Sequence, residues 1–403
     1  MSRIIALCSV LLVLPACGEE VRPVTNATAQ ATAQTTAQTT WTLDPVLTLG
    51  SWDGDITFGS ITGIAVRPSG EILVLDRLES VVFVFDESGN KLDEIGRRGA
   101  GPGELSNLVV GVFLTESGVL VIPDLRNSRV SFFNADNSYS HSFPIDRMFP
   151  LPTMMWAAQG DDRILKQVQP LPSIPGLPTN GPSEPGIMAV GHDGTEHGMV
   201  TTFEMQSAIE IGADGKMSTR VFFDFPVWTT TSEGHLVVGM SGTYHLEVRD
   251  SEGTLIGEIT RQVGRKPMTR RIRDSFTDRL MEQFEGLPPG AADLIGEPIF
   301  ADSLPLLGGV MRGPNGTIMV ARGPGLVDDY APNGGDPLDE NPPAAYDVLQ
   351  LSGDFLGVMQ FPPRFRLMAA LGNHVYGVAR DEFDVQTVVV YAVTPPSSDP
   401  RED

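Results

Sequence analysis

Residues 117–124 read SGVLVIPD, a glycine turn followed by a strand of alternating apolar residues. The same phrase returns as SGEILVLD (69–76), QGDDRILKQV (159–168), EGHLVVGM (233–240), NGTIMVAR (315–322) and LGNHVYGVAR (371–380), six copies in all. Alternation with period two marks half-buried strands. Several copies run on into a further strand, a second glycine turn and another strand: VVFVFDESGNKLDEI (81–95), YHLEVRDSEGTLIGEI (244–259) and YDVLQLSGDFLGVM (346–359). Four antiparallel strands repeated six times predict an all-β fold, a six-bladed β-propeller, in which radial repetition leaves only short edges. The last copy offers strands at 365–371, 374–381 and 385–393 and then stops one short, while LDPVLTLG (43–50) stands as a surplus strand before the first full copy. The deficit and the surplus together predict that an N-terminal strand closes the ring. The stretch 204–223 has no place in this scheme and reads as an extra hairpin of the third blade.

The glycine-rich stretch IGRRGAGPGELSNL (95–108) invites a phosphate-loop reading. No Gly-Lys-Ser or Gly-Lys-Thr ends it, and the adjoining LVVGVFLT (108–115) is strand-like, so no helix N-terminus is present to hold an anion. It is instead the connection from the outer strand of blade one to the inner strand of blade two. Here the sequence resembles the NHL-type, TolB-like six-bladed propellers. GAGPGEL (99–105) leads in, and VLVIPDLRNSRVSFF (119–133) carries the G-x-hydrophobic-x-V-x-D and N-x-R pattern. Blade one keeps Gly70, Asp76 and VVFVF but has Glu79-Ser80 in place of Asn-x-Arg; blades three to six keep only the strand grammar. The resemblance spans roughly 43–394. It implies a fold rather than an activity, because such propellers include lyases, lactonases, ligand binders and scaffolds.

The ends of the chain give an address. MSRIIALCSVLLVLPAC has one arginine, an apolar run and a cysteine, the form of a secretory leader too short to span as a mature helix. LPAC resembles the lipobox of bacterial lipoproteins. The resemblance implies a signal peptide at 1–16, a lipid on Cys17 and, with Gly18 rather than Asp next, the outer membrane. Residues 17–40 are low in large apolar groups and read as a disordered tether, and 395–403 as a disordered tail. Of the two cysteines Cys8 leaves with the leader, so no disulfide is expected. The formal net charge is −23; residues 1–16 carry Arg3 and no acid, so the mature chain has −24. Such a chain is repelled by nucleic acid and by anionic lipid heads, so contact with the membrane is expected through the anchor alone. A monomer is expected.

In a four-stranded blade the connection between strands two and three and the connection to the next blade share one rim. Every long insertion falls there: 170–186, 323–344 and the helical insertion 265–303, where Ile272, Phe276, Leu280, Met281 and Phe284 form an apolar stripe, Thr269 a cap, and Gly286, Pro288 and Pro289 a stop. Elaboration of one rim points to function there. The same rim gathers Arg77, Arg97, Arg98, Arg126, Arg129, Arg265 and Lys266 against the acidic background. Two readings stay open: struts, with Asp76 and Asp124 pairing to arginines of neighbouring blades, or a basic funnel for an anionic small ligand or a protein partner.

Metal signals are weak. Asp328, Asp329, Asp336 and Asp339 lie in one loop with Gly334-Gly335 and offer hard oxygen ligands for Ca²⁺, though not at EF-hand spacing, and no other cofactor is indicated. HDGTEH (192–197) fits a hairpin turn, and GMSGT (239–243) lacks the last glycine of a nucleophile elbow. The sequence therefore points first to a lipid-anchored extracytoplasmic binding or scaffolding propeller, and second to a metal-dependent hydrolase or lyase with carboxylates in the central channel.

Overall fold

Six four-stranded antiparallel sheets carry the repeat in the computed structural model, which describes residues 40–396 apart from 53, 110, 146–154, 171–182, 285–289, 291 and 328–342. Blade one is built from Ile61–Val66, Ile72–Asp76, Val81–Phe85 and Lys91–Ile95, each strand pairing with the next. Blades two to five keep the same order along the chain. Inner strands of successive blades touch, and the inner strand of blade six (Phe365–Leu371) touches that of blade one, so the ring is closed. The chain is an all-β, six-bladed β-propeller with one α-helix among the described residues, Arg270–Phe284.

Closure takes the expected form. Blade six draws three strands from the C-terminus, the last being Gln386–Thr394, and its outer strand is Thr42–Leu49, paired from Thr42↔Thr394 to Leu49↔Val388. Just ahead of it, the Trp41 N–H donates to Val358 O on the outer strand of blade five, and the Trp41 ring is buried in the seam between blades five and six. Trp41 and the strand after it thus fasten two blades.

Among the described residues there is no central core. Both faces of an inner blade strand meet a neighbouring blade, so apolar residues collect in six seams. In the seam between blades one and two, Leu73, Leu75 and Val82 meet Leu105, Leu120 and Ile122; between six and one, Val378 and Val388 meet Ile64, Val74 and Phe85. The remaining seams repeat the pattern. Burial of apolar area in these seams stabilises the ring by about 25 cal/mol per Å².

The stretch left without a place proves to be a hairpin, Ile209–Ile211 with Met217–Val221, but it does not belong to blade three. Its second strand pairs in parallel with Ile299–Phe300, so the hairpin is part of the helical insertion. The helix begins as expected, with the Ile272 N–H donating to Thr269 Oγ1 at 3.3 Å. Ile272 and Leu280 are buried, and Phe276 sits edge-on to Phe222 and Phe300 at 5.6 and 5.9 Å. Met281 is a correction: it is exposed, because nine residues at about 100° each place it opposite Ile272 on the helix. The side chain of Phe284 and the glycine–proline stop lie outside the described residues.

Candidate functional site: the insertion-bearing rim

Antiparallel order within each blade puts two kinds of connection on one rim: the turn between strands two and three, and the crossing to the next blade. The helix, the hairpin 209–221 and the crossing 96–112 all stand on this rim. Gly264–Arg265 pairs with Leu326–Val327, tying the helical insertion to the long connection of blade five. The opposite rim carries only turns of a few residues.

Strand-end aspartates build this rim. Asp76 is fully buried and accepts from the N–H groups of Gly59 (2.6 Å), Ser60 (3.1 Å), Leu78 (2.9 Å) and Glu79 (3.3 Å). Asp124, also fully buried, accepts from Ser106 N–H (2.8 Å), Ser106 Oγ, Asn127 N–H (3.2 Å) and Asn127 Nδ2 (2.8 Å). The expected pairing of these two with arginines is therefore corrected: backbone amides of the rim connections take their place. A carboxylate with several N–H donors can stay charged when buried. The Asp–Arg theme appears instead in the seam of blades four and five. There Asp347 receives Arg322 Nε (2.6 Å), Arg261 and the Tyr244 hydroxyl (2.6 Å), with Asp347 and Arg322 both fully buried. Burial, then the negative charge of Asp347, pushes the Tyr244 phenol far up, so it remains a donor.

The glycine-rich crossing is a hook, not a phosphate cradle. Gly99 N–H donates to Leu105 O and Leu105 N–H to Arg97 O, while the Leu105 side chain plugs the seam of blades one and two. Gly96 and Gly103 have φ of 81° and 73°, the left-handed region that glycine tolerates. Glu104 accepts the Gly101 N–H at 2.8 Å and the Arg97 Nε at 3.0 Å. The Gly101 N–H, then Arg97, holds the Glu104 carboxyl below its ordinary range. The hook supplies its own anion.

The seven basic candidates fall into two groups on opposite sides of the ring. Arg77, Arg97, Arg98, Arg126 and Arg129 stand over blades one and two, Arg265 and Lys266 between blades four and five. Arg129 is a strut whose partners are carbonyls rather than an aspartate: Ala100 (3.2 Å), Gly101 (2.7 Å) and Glu104 (2.7 Å). Arg265 is another, held by Asp224 at 2.6 Å and by Leu304 O at 2.7 Å. The main chain of Lys266 is fixed by Gly325 O and Leu304 N–H. Arg97 is 81% exposed and pairs with Glu104; Arg98 donates to Leu78 O; Arg126 is exposed; Arg77 is half-buried with its Nε unpaired.

Two arginines that sequence reasoning passed over lie on inner strands. Arg366 (blade six) donates to Ile61 O at 2.8 Å and is open to solvent, yet surrounding protein, then Arg380, lowers its basicity. Arg312 (blade five) holds Thr230 O at 2.6 Å and Thr230 Oγ1 at 2.8 Å, and burial lowers its basicity too. The available signal was a lone charge in an otherwise uncharged strand, GGVMRG and FRLMAAL.

The other candidate groups are structural or lie outside the described residues. HDGTEH is the outer hairpin turn of blade three, with Asp193 capping Thr195 at 2.9 Å. Burial, then His141, holds His192 below its ordinary value. Ser241 is fully buried and accepts from Phe225 N–H at 3.0 Å. Asp328, Asp329, Asp336, Asp339 and Cys17 lie outside the described residues. Among the described residues no three His, Cys, Asp or Glu side chains could share a metal ion, and no helix is long and apolar enough to cross a membrane.

Comparison with known proteins agrees on the class. A family model described as a 6-bladed beta-propeller matches residues 53–141, from the approach to blade one through most of blade two. A member of the duf4221 family from Bacteroides vulgatus superposes with a TM-score of 0.54 at 14% identity, covering 90% of this chain and 100% of that one. A candidate exported protein of Bacteroides fragilis gives 0.50 at 11%, covering 91% and 98%. A virginiamycin B lyase from Staphylococcus aureus gives only 0.41 at 9%, covering 88% and 100%, too distant to carry an argument about chemistry. No curated relative matches.

Proposed function

We propose that the chain is a lipid-anchored, extracytoplasmic binding propeller that engages a ligand or protein partner on its insertion-bearing rim. One observation carries this reading. Among the described residues thirteen large apolar side chains are exposed. Trp52, Leu78, Leu108, Met155 and Phe383 stand on this rim's connections, and Met281, Leu294 and Val327 on its insertions. The other five sit on outer strands, and the plain rim has none among the described residues. Gathering of apolar groups, with arginines among them, is the mark of an interaction face.

The path of the chain supports the orientation. Thr42 pairs with Thr394 at the plain-rim end of blade six, so the chain arrives from the plain side and an anchor at Cys17 leaves the decorated rim clear. Cys17→Ser is expected to abolish labelled-palmitate incorporation; persistence of the label would contradict the anchor.

Within this rim the exposed guanidinium groups over blades one and two offer a place for an anionic ligand. Arg97→Ala/Arg98→Ala is expected to melt near the wild type, since exposed pairs contribute only about 0–1 kcal/mol. It should lose salt-sensitive capture of an anionic ligand or partner from an envelope extract. A melting point far below wild type would instead make these arginines inter-blade struts.

A further inference from the structure

The two most exposed large apolar side chains in the described chain are aromatic: Trp52 at 78% and Phe383 at 79%. They stand on neighbouring connections of the decorated rim, 50–60 and 381–385. Phe58 bridges to Gln386, and the Ile61 N–H donates to Gln386 Oε1 at 2.7 Å, so the two connections are stitched together.

The Phe383 ring stands on a turn closed by hydrogen bonds. Asp381 Oδ1 accepts from the N–H groups of Phe383 (2.8 Å) and Val385 (2.9 Å), and Arg364 donates to Asp381 O at 2.6 Å. Asp384, at φ 62°, lies within 3.6 Å of Arg364 and 4.0 Å of Arg380. On the other connection the Ser51 N–H donates to Ile56 O at 3.0 Å and Thr57 Oγ1 to Ser51 O at 2.9 Å. Rigid presentation of an aromatic ring lowers the entropy cost of binding.

The charges beside the rings select the partner. Arg364 donates to the Asp381 carbonyl and shares the Asp384 carboxylate with Arg380, while Arg366 donates to the neutral Ile61 O and keeps its charge. The carboxylates of Asp55, Asp381, Glu382 and Asp384 outnumber these three guanidinium groups, and those of Asp55 and Glu382 are exposed. The whole chain, at −23, adds a field of the same sign. We infer that the Trp52–Phe383 patch docks a basic segment of a protein partner, with lysine or arginine side chains lying over the rings and against these carboxylates. The inference rests on the same rim as the proposed function but on different residues, away from Arg97 and Arg98.

Deca-arginine and deca-glutamate peptides serve as probes. Trp52→Ala/Phe383→Ala leaves net charge unchanged, so diffuse attraction of a polycation to an acidic protein is the same in both proteins. The affinity for deca-arginine is expected to fall about tenfold in the double variant. Leu92→Ala, on an outer strand, should leave it unchanged. Wild-type protein should also show protection of Trp52 from acrylamide quenching on binding, a readout that does not depend on the variant folding. Equal affinities in a double variant that melts like wild type would overturn the inference. So would absent quench protection, or patch-dependent binding of deca-glutamate. Loss of anion capture in Arg97→Ala/Arg98→Ala with deca-arginine binding intact separates the two readings, and either can fail alone.

Discussion

Asp347 shows how much a single side chain carries in this ring. Its two oxygens hold Arg322, Arg261 and Tyr244, and so join blade five to blade four. Asp347→Asn is expected to destabilise by about 3–5 kcal/mol in denaturant unfolding, because two guanidinium groups lose the charge of Asp347 and Arg322 is fully buried. A loss below about 1 kcal/mol would show that water reaches the seam. Asp124→Ala strands the rim amides of Ser106 and Asn127 and is expected to cost about 1–3 kcal/mol. His192 gives a pH signature. Its folded pKa lies below the ordinary 6.5, so the unfolded chain binds the extra proton first. Its contribution is present above 6.5 and is lost as pH falls through the folded value; His192→Gln should flatten that part of the stability curve.

At the scale of elements, the closing strand is the piece whose loss is felt furthest. Deleting 41–50 removes seven register pairs with blade six together with Trp41 and Leu49 from two seams. It also exposes the edge of Gln386–Thr394. The truncated protein is expected to melt well below the full chain and to associate; an unchanged melting temperature would contradict closure by this strand. The helix offers a paired test: Leu280→Ala should cost about 2–5 kcal/mol and Met281→Ala almost nothing. The strands were legible because period-two alternation and glycine turns are local signals, repeated six times. The features that stayed hidden depend on distant contact. The hairpin 209–221 is defined by its parallel partner at 299–300, far along the chain. The partners of Asp76 and Asp124 stayed hidden because backbone donors, unlike arginines, leave no mark in a sequence.

For the whole molecule, the proposed function rests on the difference between two rims. Which rim was elaborated could be read from loop lengths. Which residues it exposes could not, because an apolar residue in a turn looks the same whether it plugs a seam, as Leu105 does, or faces water, as Phe383 does. The arginines illustrate the same limit: equal in sequence, they divide into struts (Arg129, Arg265) and exposed groups (Arg97, Arg126) only through their neighbours. The most direct test of the rim assignment is site-specific photo-crosslinking in the native envelope. A benzophenone side chain would be placed at Leu78 and Leu108 on the decorated rim, and at Ser88 and Ser352 on the plain one. Discrete adducts from the first pair and none from the second are predicted. Adducts of equal yield from both rims, or from the plain rim alone, would contradict the assignment of function to the insertion-bearing face.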